Sequence, residues 1–183
     1  MSGSGLTAEA EQATERQVAE RQVADEQVRW LSAEQVEAWL AFFGAAALLN
    51  RRLDQQLKDD SGLTHVQYEV LARLSDAPDR ELRMTDLADT LYTSQSGTTY
   101  QIAQLEKAGY VRRRECRGGP RAVYAVLTDA GFEVLKRAAP GHVGGVRELL
   151  IDVLTPEELE AMSRGLKRVR DRIVEQELGK RER

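Results

Sequence analysis

The sequence predicts a mostly α-helical chain with one small β-hairpin, an α+β protein. Three observations carry this. Apolar residues recur at three- and four-residue spacing through most of the chain. Capping signals stand just before several of those stretches. The one break in helical period, residues 110–128, holds two short strand-like segments around a glycine-proline tip. Aromatics are 5% and hydrophobic residues 42% of the 183 residues, a balance suited to helices joined through Leu, Val and Ala.

Residues 1–31 read as a polar, acidic extension with a near-repeat, Glu15-Arg-Gln-Val-Ala then Glu20-Arg-Gln-Val-Ala. The expectation is a frayed tail, with an extra helix carrying Val18, Val23, Val28 and Trp30 as the alternative. Ser32-Ala-Glu-Gln35 has capping-box spacing and opens a first helix. Val36, Trp39, Leu40, Phe43, Ala47, Leu53 and Leu57 recur along it, and Asp59 to Gly62 ends it. Thr64-His-Val-Gln67 opens a second, which carries Tyr68, Val70, Leu71 and Leu74 and stops near Ala77-Pro78.

Two short units follow. Thr85 is expected to cap a helix running to Leu91. Ser94 is expected to cap another running to Ala108 and closed by Gly109. Two short helices joined by a tight turn form a helix-turn-helix. Tyr110–Glu115 and Val123–Thr128 then read as strands flanking Arg117-Gly-Gly-Pro-Arg121, a hairpin with a basic tip. A helix starts at Thr128, and Pro140-Gly141 is expected to kink or interrupt it, leaving His142 at a new helix start. Thr155-Pro-Glu-Glu158 opens the last helix, with Leu159, Met162, Leu166, Val169 and Ile173. The expected organisation is a winged helix-turn-helix lobe, residues 63–128, and a separate helical region, residues 32–58 and 129–178.

The formal net charge of −4 argues against a nucleic-acid partner unless the charge is segregated. It is: Arg112, Arg113, Arg114, Arg117 and Arg121 fall within ten residues, where Glu115 alone opposes them. Cys116 is the only cysteine, which excludes an intrachain disulfide and Cys-rich zinc sites. It reads as an incidental thiol rather than a redox sensor. His65 and His142 lack the partners of a metal site. There is no Gly-rich phosphate loop, no Ser-His-Asp set and no carboxylate pair in an apolar setting, so neither an enzyme nor a cofactor is expected. The chain has no apolar run of about 18 residues and no basic, apolar leader. The expected location is the cytoplasm, with no membrane partner.

The helix predicted after Ser94 fits the major groove, which is about 12 Å wide. Projected on a helical wheel, Thr98, Ile102 and Leu105 share one side. Ser96, Thr99, Tyr100, Ala103, Gln104 and Lys107 share the other, with no acid among them. Gln95 and Ser96 sit at the N-terminus, where free amides favour phosphate. By itself this is also the pattern of an ordinary amphipathic helix. The arginine-rich hairpin beside it turns the balance toward DNA.

The segments Leu87-Ala-Asp-Thr-Leu91, Ser94-Gln-Ser-Gly-Thr-Thr99, Leu105-Glu-Lys-Ala-Gly-Tyr-Val-Arg-Arg113 and Ala125-Val-Leu-Thr-Asp-Ala-Gly131 resemble the MarR family, the multiple antibiotic resistance regulators. The resemblance spans roughly residues 34–176 in element order, with its specific motifs within 85–131. It implies a homodimer held by the N- and C-terminal helices, a recognition helix in the major groove and a wing in the minor groove. Two positions depart from the family pattern. Gly119-Pro120-Arg121 stands where Asp-Arg-Arg is frequent, and Tyr100 stands where an Arg is frequent.

The resemblance also implies an effector pocket. Trp39, Phe43, His65 and Tyr68 are candidates to line it for a small aromatic or phenolic effector, though plain core packing suits Trp39 and Phe43 better. Tyr68-Glu69 replaces the Trp-Asp pair of urate-binding relatives, so urate is not expected. The expected function is a sequence-specific regulator of transcription, a repressor released by a small-molecule effector. It would bind a pseudo-palindromic operator in double-stranded DNA as a homodimer. The expected contacts are Thr85, Ser94, Gln95, Ser96, Thr99, Tyr100, Gln104, Arg113, Arg117 and Arg121. The alternative is a winged-helix module that binds protein and reads no DNA sequence.

Overall fold

Reciprocal caps start the helices where the sequence places them. Helix α1 spans Ala33–Ser61. At its start Ser32 Oγ accepts from the Gln35 amide at 3.3 Å, and Gln35 Oε1 accepts from the Ser32 amide at 2.9 Å. Helix α2, His65–Asp76, has the same box between Thr64 and Gln67. Its first amide is also tied to α1, since His65 N–H donates to Asp54 Oδ1 at 2.9 Å. A single 3-10 turn, Pro78–Arg80, leads to strand β1, Glu81–Arg83, and directly into helix α3, Met84–Thr90. Helix α4 is Gln95–Lys107, strand β2 Val111–Glu115 and strand β3 Val123–Leu127. Helix α5, Asp129–Leu149, a 3-10 turn at Ile151–Val153, and helix α6, Pro156–Arg181, complete the chain.

The structure is a computed structural model that describes residues 28–115 and 122–181. It divides into two units, residues 1–45 and 46–183. Most of the expected tail or extra helix, residues 1–31, lies outside the described residues, and its described part, residues 28–31, is not helical. Within the first unit, the Trp39 and Phe43 rings meet at a tilt of 46° with centroids 4.2 Å apart, yet they are 55% and 48% exposed. Both therefore depart from the expectation that they are core residues of a single chain.

The core of the second unit joins Leu57, Leu71, Leu74, Leu87, Ile102, Leu105 and Val134, all nearly or fully buried. The three-stranded antiparallel sheet has order β1-β3-β2. Val111, Ala125 and Leu127 put one of its faces into this core. Strand β1 is an addition to the expected hairpin. With three residues it is too short to show alternation, and its pairing with β3, Leu82 opposite Ala125, defines it.

Two expectations are corrected. Thr85 does not cap α3: Arg83 is the N-cap, without a side-chain bond, and Thr85 Oγ1 donates to Asp86 Oδ1 at 3.0 Å. The helix starts early because β1 delivers the chain straight into it. Nor does Pro140 interrupt α5, which runs unbroken through it. A proline removes one helical donor, and burial of Ala138 and His142 on either side holds the helix together. His142 is therefore mid-helix rather than at a helix start.

Gly131 shows how tightly α5 seats against the wing base. A Cβ there would lie 2.1 Å from the Tyr110 carbonyl oxygen. Gly131→Ala is expected to destabilise the protein by roughly 1–3 kcal/mol. This would appear as a lower urea midpoint at unchanged slope. An unchanged midpoint would show that the approach is looser than described.

Candidate nucleic-acid interface

Helix α4 is seated by three buried side chains. Thr98, Ile102 and Leu105 are at most 1% exposed, and Thr98 Oγ1 donates to the Ser94 carbonyl at 3.2 Å. Ser94 caps the helix by accepting from the Gly97 amide at 3.1 Å. This seating leaves Gln95, Ser96, Thr99, Tyr100, Ala103, Gln104 and Lys107 exposed, as the helical wheel predicts. Tyr100 is 61% exposed, a large ring held in solvent beside the hydroxyl and amide groups of that face. Thr85, one helix earlier, is exposed as well.

The turn between α3 and α4 is a left-handed close. Tyr92 has φ +49°, with Tyr92 N–H bonded to the Asp89 carbonyl and Thr93 N–H to the Ala88 carbonyl, both at 3.2 Å. Helix α4 ends in the same motif at Gly109, φ +77°, where Tyr110 N–H reaches the Leu105 carbonyl at 2.9 Å. Here glycine is the residue that fits, and the reversal sends β2 back along α4.

That reversal gives the hairpin arginines partners the sequence did not reveal. Arg113 Nε lies 3.5 Å from Glu106 Oε2, and Arg113 Nη2 donates to the Thr99 carbonyl at 3.3 Å. Arg114 Nε and Nη2 fork onto the two oxygens of Glu81 at 3.1 and 2.5 Å. Glu115 is thus not the sole counter-charge of this strand. Glu106 is itself exposed on α4, near Thr99, so the outward side of the helix is not free of acid. The seven-residue step from Glu106 to Arg113 across Gly109 is the signal that could have exposed the pairing. Arg112 is exposed and makes no ion pair among the described residues. Cys116, Arg117 and Arg121 lie outside them.

A capped helix-turn-helix, a polar outward helix face and a hairpin with arginines define a winged helix-turn-helix. The MarR family model matches residues 61–122, which hold the helix-turn-helix and the first strand of the hairpin. Sco3205, a MarR family transcriptional regulator from Streptomyces coelicolor crystallised in complex with DNA, superposes with a TM-score of 0.77. It is 43% identical, over 79% of this chain and 91% of that one. AbsC, another MarR family regulator from the same organism, gives 0.76 at 36% identity, over 80% of this chain and 98% of that one. The HTH-type transcriptional regulator PecS of Dickeya dadantii is 30% identical over 56% of this chain and 62% of its own length. The chain belongs to the MarR family. It is a DNA-binding transcriptional regulator of the MarR type. No helix among the described residues is long and apolar enough to cross a membrane.

Of the expected effector residues, the second unit brings two together and adds a third. The Tyr68 and His142 rings lie 4.2 Å apart, and those of His65 and His142 5.3 Å apart. His142 is 8% exposed, and its buried Nδ1 has no hydrogen-bond partner among the described residues. Burial first, then the neighbouring His65, holds the His142 imidazole below its ordinary value, while Glu69 acts the other way. The folded state therefore disfavours the charged ring. Below about pH 6.5 the unfolded chain binds the extra proton, so this stability is present at higher pH and is lost as pH falls. The unfolding midpoint is expected to drop between about pH 8 and pH 5, and His142→Gln to flatten that slope. An unchanged slope in the variant would exclude His142 as its source.

Proposed function

We propose that the protein is a homodimeric repressor that reads a pseudo-palindromic operator in double-stranded DNA and is released by a small aromatic or phenolic effector. The observation that carries DNA reading is the exposed polar face of α4 beside a hairpin bearing arginines. Thr99, Tyr100 and Gln104 would face base edges in the major groove. Thr85, Ser94, Gln95 and Ser96 would face phosphates, the last three at the α4 N-terminus. Arg117 and Arg121 would enter the minor groove or bind its phosphates. A cytoplasmic location follows from this role.

Exposed apolar side chains support self-association. In the first unit Trp30, Trp39, Leu40, Phe42 and Phe43 are all at least 47% exposed, and in the second Val153, Val169 and Ile173 at least 50%. Surface of this kind, in and beside helices toward both ends of the described chain, calls for a partner, and a second copy suits a family of symmetric operators. Trp39 and Phe43 are assigned to that surface. For the effector, the reading rests on Tyr68, His65 and His142, with two aromatic neighbours around an imidazole nitrogen that has no partner among the described residues. Such a group suits a phenol or carboxylate.

Selecting bound duplexes from a random pool tests the operator reading. The expected result is an inverted repeat with half-site centres about one helical turn apart, and a product without inverted symmetry would contradict it. Sedimentation is expected to find a dimer at micromolar concentration, with unfolding that depends on protein concentration. A folded monomer there would exclude the dimer.

On the selected site, Thr99→Ala, Tyr100→Ala and Gln104→Ala should each relax preference at particular bases, by about 1–3 kcal/mol per base read. Arg117→Ala and Arg121→Ala should instead weaken all sequences and reduce the salt slope by about one per lost phosphate contact. If the helix variants leave the specificity ratio unchanged while Arg121→Ala removes it, the reading element is the wing.

A further inference from the structure

Arg113 and Arg114 are neighbours on β2, so their side chains leave opposite faces of the sheet. Arg113 stands opposite Ala125, on the core-facing side, and Arg114 opposite Tyr124, on the other. On the inner side, the Arg113 amide donates to Glu106 Oε1 at 3.1 Å while its guanidinium reaches Glu106 Oε2 and the Thr99 carbonyl. On the outer side, Arg114 forks onto Glu81, and its guanidinium carbon lies 4.8 Å from the centre of the Tyr124 ring. Glu81 begins β1, which enters α3 with no intervening loop. The strand that carries the wing is thus tied by one arginine to α4 and by the next to the strand that leads into α3.

We infer that Glu106–Arg113 and Glu81–Arg114 are positioning pairs that fix where the wing stands relative to the recognition helix. Neither arginine is a phosphate contact. Each guanidinium already has donors committed to a carboxylate, and each pair carries little net charge toward DNA. Part-exposed ion pairs of this kind add little to global stability, but two of them on opposite faces fix a direction. The exposed Arg112 is the cation of β2 left for phosphate. The inference rests on the reading that the wing and α4 engage one duplex.

Glu106→Gln and Glu81→Gln test this, because each keeps the side-chain shape, leaves the arginine in place and removes one acid. If the arginines bind phosphate, losing the acid should tighten binding to any DNA, since a repulsive charge goes and a guanidinium is freed. Positioning reverses that sign on the preferred site. Wild type and variants would be titrated against the duplex selected by wild type and a scrambled duplex of equal composition, at two salt concentrations, with Tm measured alongside. The expected result is a loss on the order of threefold to tenfold on the selected duplex and none on the scrambled one, with the salt slope unchanged. Glu106→Gln combined with Arg113→Gln should lose no more than the worse single variant. Tighter binding to both duplexes, an equal loss on both, or a salt slope reduced by about one for Arg113→Gln would each overturn the inference. A wild type that selects no duplex would instead count against the DNA-reading proposal itself.

Discussion

Thr98, Ile102 and Leu105 set the roll of α4 about its axis, and the rest of the interface depends on that roll. With those three side chains buried, the helix can present only one face outward. Ser94 fixes where the helix begins, and Gly109 fixes where the chain turns back. Strand β2 then runs alongside α4, which is what allows Arg113 to meet both Glu106 and the Thr99 carbonyl. A polar substitution at Ile102 would act on all of these at once, because a rotated helix would present a different set of side chains.

Much of the fold was legible because its signals are local. The capping boxes at Ser32, Thr64 and Thr155 each join residues three apart, and all three form. The outward face of α4 was legible for the same reason, since helical period alone sorts Thr98 from Thr99. What escaped depends on pairing across distance. Strand β1 exists through its bonds to β3, more than forty positions away in the register. The partners of Arg114 and Arg113 needed the sheet order and the turn at Gly109. The continuity of the helix through Pro140 is not legible locally, because the missing donor is a local signal whereas the burial of Ala138 and His142 around it comes from tertiary contacts. The left-handed backbone at Asp79, Arg80 and Tyr92 carries no glycine to signal it.

The charge distribution reconciles an acidic protein with a polyanionic partner, though less simply than a count of arginines implies. Part of the positive charge on the hairpin strand is spent internally, on Glu81 and Glu106. That division of labour leaves local alignment to the paired arginines and long-range attraction to the remaining cations. It also accounts for an exposed acid beside Thr99, since Glu106 is occupied by Arg113.

The central claim, that the exposed face of α4 meets base edges while its buried face holds it there, is tested most directly by position-resolved crosslinking. With Cys116 replaced by serine, a single cysteine placed at Gln104 and carrying a photoactivated crosslinker would be bound to the selected duplex and irradiated. The account predicts crosslinks to bases inside each half-site, in symmetry-related positions. Crosslinks confined to flanking sugars and phosphates, with none inside the half-sites, would contradict it.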